Sequence, residues 1–129
     1  MGLLQPHGRH RRRHEQARLK TVTIRNLAEA RAALDAARAV GATIALASPE
    51  DAAIRYGVLF YVQLSETLAA EYPELTPVIA FECGDRADLA HDAMRLGLKH
   101  IAFRGDPLSA EKLADVAANL GITFEARPA

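Results

Sequence analysis

The sequence predicts an α/β fold built on a mostly parallel sheet of five strands. Apolar segments of strand length, residues 78–81 and 101–103, flank a helix-forming stretch that Gly97 ends. Strands with apolar residues on both sides are typical of parallel sheets, which are buried on both faces. A length of 129 residues suits one domain. We therefore predict a three-layer, flavodoxin-like sandwich. A half-barrel with its helices on one face is the alternative.

The first predicted strand and helix follow a basic N-terminal segment. Residues 21–25 are rich in β-branched side chains and predict the first strand. Asn26 then begins a helix as its N-cap, with Glu29 at the capping-box position, and Gly41 ends it. Residues 42–47 predict the second strand. Residues 48–51, Ser-Pro-Glu-Asp, have the form of a helix start.

The helix expected after residue 51 is apolar on all sides, which requires that all its sides be covered. A second copy of the chain is the preferred cover, because symmetric pairing of one apolar patch is the commonest oligomer geometry. The N-terminal arm, a neighbouring helix or a ligand held by the aromatic residues are the alternatives. The residues assigned to the homodimer interface are Tyr56, Phe60, Tyr61 and Leu64.

The last two crossovers complete the sheet. The strand at 78–81 leads through a turn to a helix that ends at Gly97, and the strand at 101–103 follows. Asp106 and Pro107 begin the final helix, Gly121 stops it, and residues 122–125 predict the fifth strand.

Charge is unevenly distributed along a chain whose formal net charge is zero. Residues 1–20 carry six basic residues and one acidic residue, and the remainder carries ten basic and fifteen acidic residues. We divide the chain into a basic N-terminal arm, residues 1–20, and a single domain, residues 21–129. A nucleic-acid contact through the arginines from Arg9 to Arg18 is not favoured, because no aromatic side chain lies among them to stack on bases.

Composition also bears on location and cofactors. One cysteine, Cys83, excludes an internal disulfide. No apolar segment follows the arginines as it would in a secretory signal, and no stretch is apolar enough over membrane length. We expect a cytoplasmic protein without a membrane segment, metal or cofactor.

Ligands of open parallel sheets bind beyond the carboxyl ends of the strands. Arg104 and Gly105 before a helix could hold a small anion or a phosphoryl group, whereas an internal ion pair with Glu82 is the simpler role. The residues that this rule selects as candidate ligand contacts are Ser48, Glu82, Cys83, Arg86, Arg104 and Asp106.

Two more specific chemistries are conceivable at this edge of the sheet. A helix N-terminus after Cys83 would lower a thiol pKa. The histidines of the domain, His91 and His100, are expected to lie away from it, so we interpret Cys83 as structural. Glu82, Asp85 and Asp106 could ligate a divalent cation. Capping and ion pairing are the simpler roles, so no metal site is predicted.

Residues 76–116 resemble the second half of response-regulator receiver domains. The likeness is carried by residues 77–79, Pro-Val-Ile, and by residues 93–98, Ala-Met-Arg-Leu-Gly-Leu, followed by the strand at 101–104. The family's hydroxyl residue corresponds to Glu82 and its lysine to Arg104. Its phospho-acceptor aspartate would fall near Ala47 or Ser48, and its metal-binding acidic pair would precede residue 21, where no such pair exists. The resemblance implies a fold and a dimer face without phosphorylation.

These observations favour a non-catalytic protein-interaction or regulatory module that acts as a homodimer. The alternative is a protein, or a weak enzyme, that binds a small anion or phosphoryl ligand at the strand ends. The sequence contains no glycine-rich nucleotide fingerprint and no coherent catalytic set.

Overall fold

The protein is described by a computed structural model that covers residues 20–128. Most of the predicted arm, residues 1–19, lies outside the described residues. The strands are β1 (Thr21–Thr23), β2 (Ala45–Ala47), β3 (Ile79–Glu82), β4 (His100–Phe103) and β5 (Thr123–Ala126). The helices are α1 (Leu27–Val40), α2 (Ala52–Arg55), α3 (Val58–Glu71), α4 (Ala87–Arg95) and α5 (Pro107–Leu120), with a 3₁₀ turn at Pro73–Leu75.

The predicted α/β class and the five-stranded sheet are confirmed. All five strands are parallel and form one sheet, as expected of a flavodoxin-like domain, and no closed barrel is present in residues 20–128. The strand order is β1-β2-β3-β4-β5. In the flavodoxin order the first strand lies between the second and third. The order observed is sequential, within the predicted class of a parallel five-stranded α/β sheet.

Sequential strand order places the described helices on one side of the sheet. Right-handed crossovers that always advance in the same direction carry their helices over the same face. Accordingly α1 contacts α3, α3 contacts α4 and α4 contacts α5, which makes a single helical layer.

The two faces of the sheet differ in chemistry because side chains alternate along each strand. Leu46, Ile79, Phe81, Ile101 and Phe103 point toward the helices and belong to the apolar core. The residues between them point the other way. We call this second side the open face, because no described helix packs on it. It carries Thr21, Ala45, Ala47, Ala80, Glu82, His100, Ala102, Thr123, Glu125 and Arg127.

The apolar segment after β2 forms two helices where one continuous helix was predicted. Gly57 separates α2 from α3 with φ of +89°, a conformation that side-chain-bearing residues rarely adopt. The break turns α3 so that Tyr61 and Leu68 face the core. None of the described helices is both long enough and apolar enough to cross a membrane.

Gly105 allows the chain to turn tightly after β4. A Cβ added at this position would overlap the ring of Phe103. That ring is 1% exposed and packed in the core, so it has little room to move aside.

We therefore predict that Gly105→Ala lowers the free energy of unfolding by about 1–3 kcal/mol, the usual cost of overpacking a core. Urea unfolding measures this change. The matched control is the same substitution in a Phe103→Leu background, where the smaller side chain should remove most of the cost. Equal losses in both backgrounds would contradict the overlap.

Candidate functional site

A cleft of about 560 Å³ lies at the amino-terminal ends of β1, β2 and β3 and extends onto the open face. Ala45, Ala47 and Ala80 of the sheet are among its apolar lining residues. His100 and Arg127 are among its polar lining residues. A volume of this size and a mixture of apolar surface with a few polar groups are typical of small-molecule sites.

Glu82 lies behind the polar lining of this cleft, hydrogen-bonded to Arg127, and is not itself one of the lining residues. Its side chain is 5% exposed, at the carboxyl end of β3. The Oε2 atom accepts a hydrogen bond from Arg127, and the backbone N–H donates to Ser48 Oγ over 2.9 Å. A buried carboxylate requires such partners, since an unpaired charge is costly away from water.

Arg127 joins Glu82 to the next strand. Its guanidinium also donates to Glu125 Oε1 over 2.6 Å, and His100 Nε2 lies 3.5 Å from Glu125 Oε2. Burial raises the pKa of Glu125, but Arg127 and His100 outweigh that effect, so the pKa is lowered overall. Burial lowers the pKa of Arg127, and the two carboxylates more than offset it. Both side chains remain charged at neutral pH.

Arg104, at the end of β4, completes the group. Its Nη2 lies 3.4 Å from Glu50 Oε2, and its Nη1 donates to the carbonyl of Pro128 over 3.4 Å. Its Nε is 4.0 Å from Glu82 Oε1, too far for a hydrogen bond. Glu82 Oε1 and Arg104 Nε are both buried, and neither atom has a hydrogen-bond partner among residues 20–128. We call Glu82 Oε1 and Arg104 Nε the unpaired couple.

The structure brings together three of the six residues predicted as ligand contacts: Ser48, Glu82 and Arg104. Cys83 lies next in the chain but on the opposite side of the strand, in the core, where its Sγ is 3.8 Å from the carbonyl of Phe81. Burial, followed by the nearby Glu82 carboxylate, raises the pKa of the thiol to about 12. Cys83 is a core side chain that does not face the cleft.

Arg86 and Asp106 are engaged elsewhere. Arg86 forms an exposed ion pair of 2.8 Å with Asp88. Asp106 caps α5, where its carboxylate accepts hydrogen bonds of 2.8 and 2.9 Å from the backbone N–H and hydroxyl of Ser109. These bonds lower its pKa. Because this carboxylate occupies the N-terminus of α5, the proposed anion position after Arg104 and Gly105 is already filled.

Sequence reasoning placed Arg127 only at the margin of the candidate site and did not select Glu125 or His100. The sequence signal that could have identified the residues of the fifth strand is the alternation of polar and apolar residues, since residues 123, 125 and 127 are polar. Such alternation indicates a strand with one face away from the core. His100 was placed away from the strand ends on the basis of its position at the start of β4. It nevertheless reaches Glu125 because β4 and β5 are neighbours on the open face.

The residues assigned to a dimer interface fall into two groups. Tyr61 is fully buried, donates to the carbonyl of Ile24 over 3.3 Å and has its pKa raised to about 12, chiefly by burial. Leu64 is also buried in the core. Both face the sheet because α3 begins only after Gly57, so neither is accessible to a second copy. The apolar patch at the surface consists of Ile54, Tyr56, Leu59 and Phe60.

Within the residues that are described, no group of three or more His, Cys, Asp or Glu side chains could hold a metal ion. No protein-family model matches the chain, and no curated protein shows significant similarity to it. The resemblance to receiver domains stays a prediction.

The environment of Cys83 predicts slow reaction with thiol reagents. A thiol with a pKa of about 12 carries almost no thiolate at pH 8, and the side chain is 2% exposed. We expect the native protein to react with a disulfide reagent at least 100-fold more slowly than the same chain in guanidinium. Equal rates in the two conditions would show that Cys83 is not in the core.

Proposed function

We propose that the chain is a non-catalytic regulatory module that binds a small polar molecule in the cleft, where His100, Glu125 and Arg127 line it. The observation that supports this proposal is His100 Nε2, which is buried and has no hydrogen-bond partner among the described residues. Behind this lining, the unpaired couple of Glu82 and Arg104 is unsatisfied in the same way. Buried polar atoms normally have hydrogen-bond partners, so each exception requires an explanation.

The surroundings of the unpaired couple support binding rather than chemistry. Ser48 Oγ accepts from the Glu82 N–H and lies within 3.3 Å of the carbonyl of Pro49, so it is engaged on both sides. The Cys83 thiol is protonated and faces the core. A nucleophile needs an adjacent base, and neither of these side chains has one in hydrogen-bond contact among the described residues.

Binding can be tested by closing the cleft with a larger side chain. Ala45 is exposed and lines the cleft, so Ala45→Trp should fill the cleft while leaving the core intact. The probes are inorganic phosphate, glycine, glucose and myo-inositol, each titrated to tens of millimolar into ¹⁵N-labelled protein. We expect at least one probe to shift amides of β3–β5, and Ala45→Trp to weaken that binding tenfold or more.

The control is Ala118→Trp, which places the same side chain at an exposed position of α5. It should bind the same probe as the unchanged protein does. The proposal is contradicted if none of the four probes shifts the open-face amides, or if both tryptophan variants lose binding equally.

We propose homodimerisation as a second function, supported by the apolar patch of Ile54, Tyr56, Leu59 and Phe60. The rings of Tyr56 and Phe60 stack with centroids 5.7 Å apart, and Leu59 is 58% exposed. Arg55 and Asp51 form an exposed ion pair beside the patch. A two-fold axis through an apolar patch pairs the patch with itself, which is the commonest oligomer geometry.

The dimer predicts that the wild-type chain sediments as a dimer at micromolar concentration and that Leu59→Asp sediments as a monomer. The control, Leu108→Asp, changes an equally exposed leucine on α5 and should remain dimeric. Sedimentation equilibrium distinguishes these states. A monomeric wild-type protein would rule out this second function, and so would a dimeric Leu59→Asp variant.

A further inference from the structure

We infer that Thr76 is a specificity-determining contact of the molecule bound in the cleft, and that its strained backbone is retained because its hydroxyl hydrogen-bonds to that molecule. This inference rests on the proposed ligand-binding function and adds a residue to its site.

The backbone conformation of Thr76 is one that its own side chain opposes. Its φ is +41° and its ψ is +59°, in the left-handed region. The Cβ of a residue in this region crowds the backbone, and branching at Cβ makes the conformation rarer still. The next residue is Pro77, and a residue before proline normally adopts an extended conformation. The branched side chain and the following proline therefore both disfavour the conformation that is observed.

The local turn explains this conformation but not the choice of threonine. Thr76 ends the 3₁₀ turn Pro73–Leu75, and its N–H lies 3.4 Å from the carbonyl of Pro73. Glycine can occupy such a position without strain. Every other described residue with a positive φ is a glycine, so Thr76 is the single exception within residues 20–128. Strain of this kind is concentrated at functional sites, where the side chain has a role that outweighs its cost.

Thr76 is exposed and lines the cleft at its amino-terminal end. Thr21, at the start of β1, and Thr43, just before β2, line the same end. A threonine hydroxyl can both donate and accept a hydrogen bond, which suits a polar ligand.

The rest of the loop before β3 offers a ligand little hydrogen bonding through its side chains. Most of its other residues in the cleft lining are apolar, and Glu74 is already paired with Arg38 over 3.2 Å. A ligand that reaches this wall of the cleft therefore finds the Thr76 hydroxyl as its side-chain hydrogen-bonding group.

The experiment separates the hydroxyl of Thr76 from its backbone strain by three substitutions. ¹⁵N-labelled wild-type and variant proteins are titrated with myo-inositol, glucose, glycine and inorganic phosphate, and each is also unfolded in urea. Thr76→Val keeps the branched side chain and the strain but loses the hydroxyl, so it should weaken binding of the probe about fivefold at unchanged stability. Thr76→Gly loses both, so it should weaken binding equally and raise the equilibrium constant for folding about fivefold. Thr76→Ser keeps the hydroxyl and should bind the probe as the wild type does.

The matched control for stability is Thr43→Gly. Thr43 is exposed at the same end of the cleft, but its φ is not positive. Glycine at this position relieves no strain and only adds conformational freedom to the unfolded chain, so it should lower the equilibrium constant for folding.

The outcomes distinguish this inference from the proposed function. If Thr76→Val and Thr76→Gly bind the probe as tightly as the wild type while Ala45→Trp loses it, the inference is overturned and the binding function stands. Failure of Thr76→Gly to increase stability also overturns the inference, because no strain would then be stored at this residue. Absence of any shift of the cleft amides with all four probes would contradict the binding function and this inference together.

Discussion

The arrangement of the described helices in one layer is the constraint on which the rest of the structure depends. Strands that follow one another in sequential order take all their crossovers over the same side of the sheet. The apolar residues of β2, β3 and β4 consequently point to that side, where they meet α1, α3, α4 and α5. The other side receives the remaining positions of each strand. Its small and polar residues are what a sheet requires where no described helix covers it.

This division explains why a carboxylate is buried at the end of β3. Glu82 points to the open face, where Arg104 from β4 and Arg127 beyond β5 can reach it, because consecutive strands are neighbours. Removing one partner of a fully buried ion pair costs about 3–5 kcal/mol. The cost here is smaller, since the side chains of Arg104 and Arg127 are 34% and 31% exposed. The cluster is therefore stabilised less than a fully buried group of ion pairs would be.

Much of this fold could be predicted from the sequence, because short local patterns of residues specify its helices and strands. The caps at Asn26 and Asp106, the glycine stops at Gly41 and Gly121 and the five strands follow from patterns of a few residues. The strand order could not be derived in this way, since periodicity carries no information on which strands pair. The site was predicted only in part, because strand pairing decides which of its residues meet. Ser48, Glu82 and Arg104 follow from the strand-end rule, whereas Glu125 and His100 become neighbours of the site only once β4 and β5 are adjacent. Tyr61 was assigned to the surface because the effect of Gly57 on the direction of α3 was not anticipated.

The most direct test of the one-sided sheet is the reactivity of single cysteines at consecutive positions of β2. Ala45 is exposed on the open face and Leu46 is 2% exposed on the helical side, while Cys83 is buried and provides a slow background. The structure predicts that a thiol introduced by Ala45→Cys reacts with a soluble reagent at least 100-fold faster than one introduced by Leu46→Cys. Equal protection of both positions would show that the second face is covered as well, and the account of an open binding face would then be wrong.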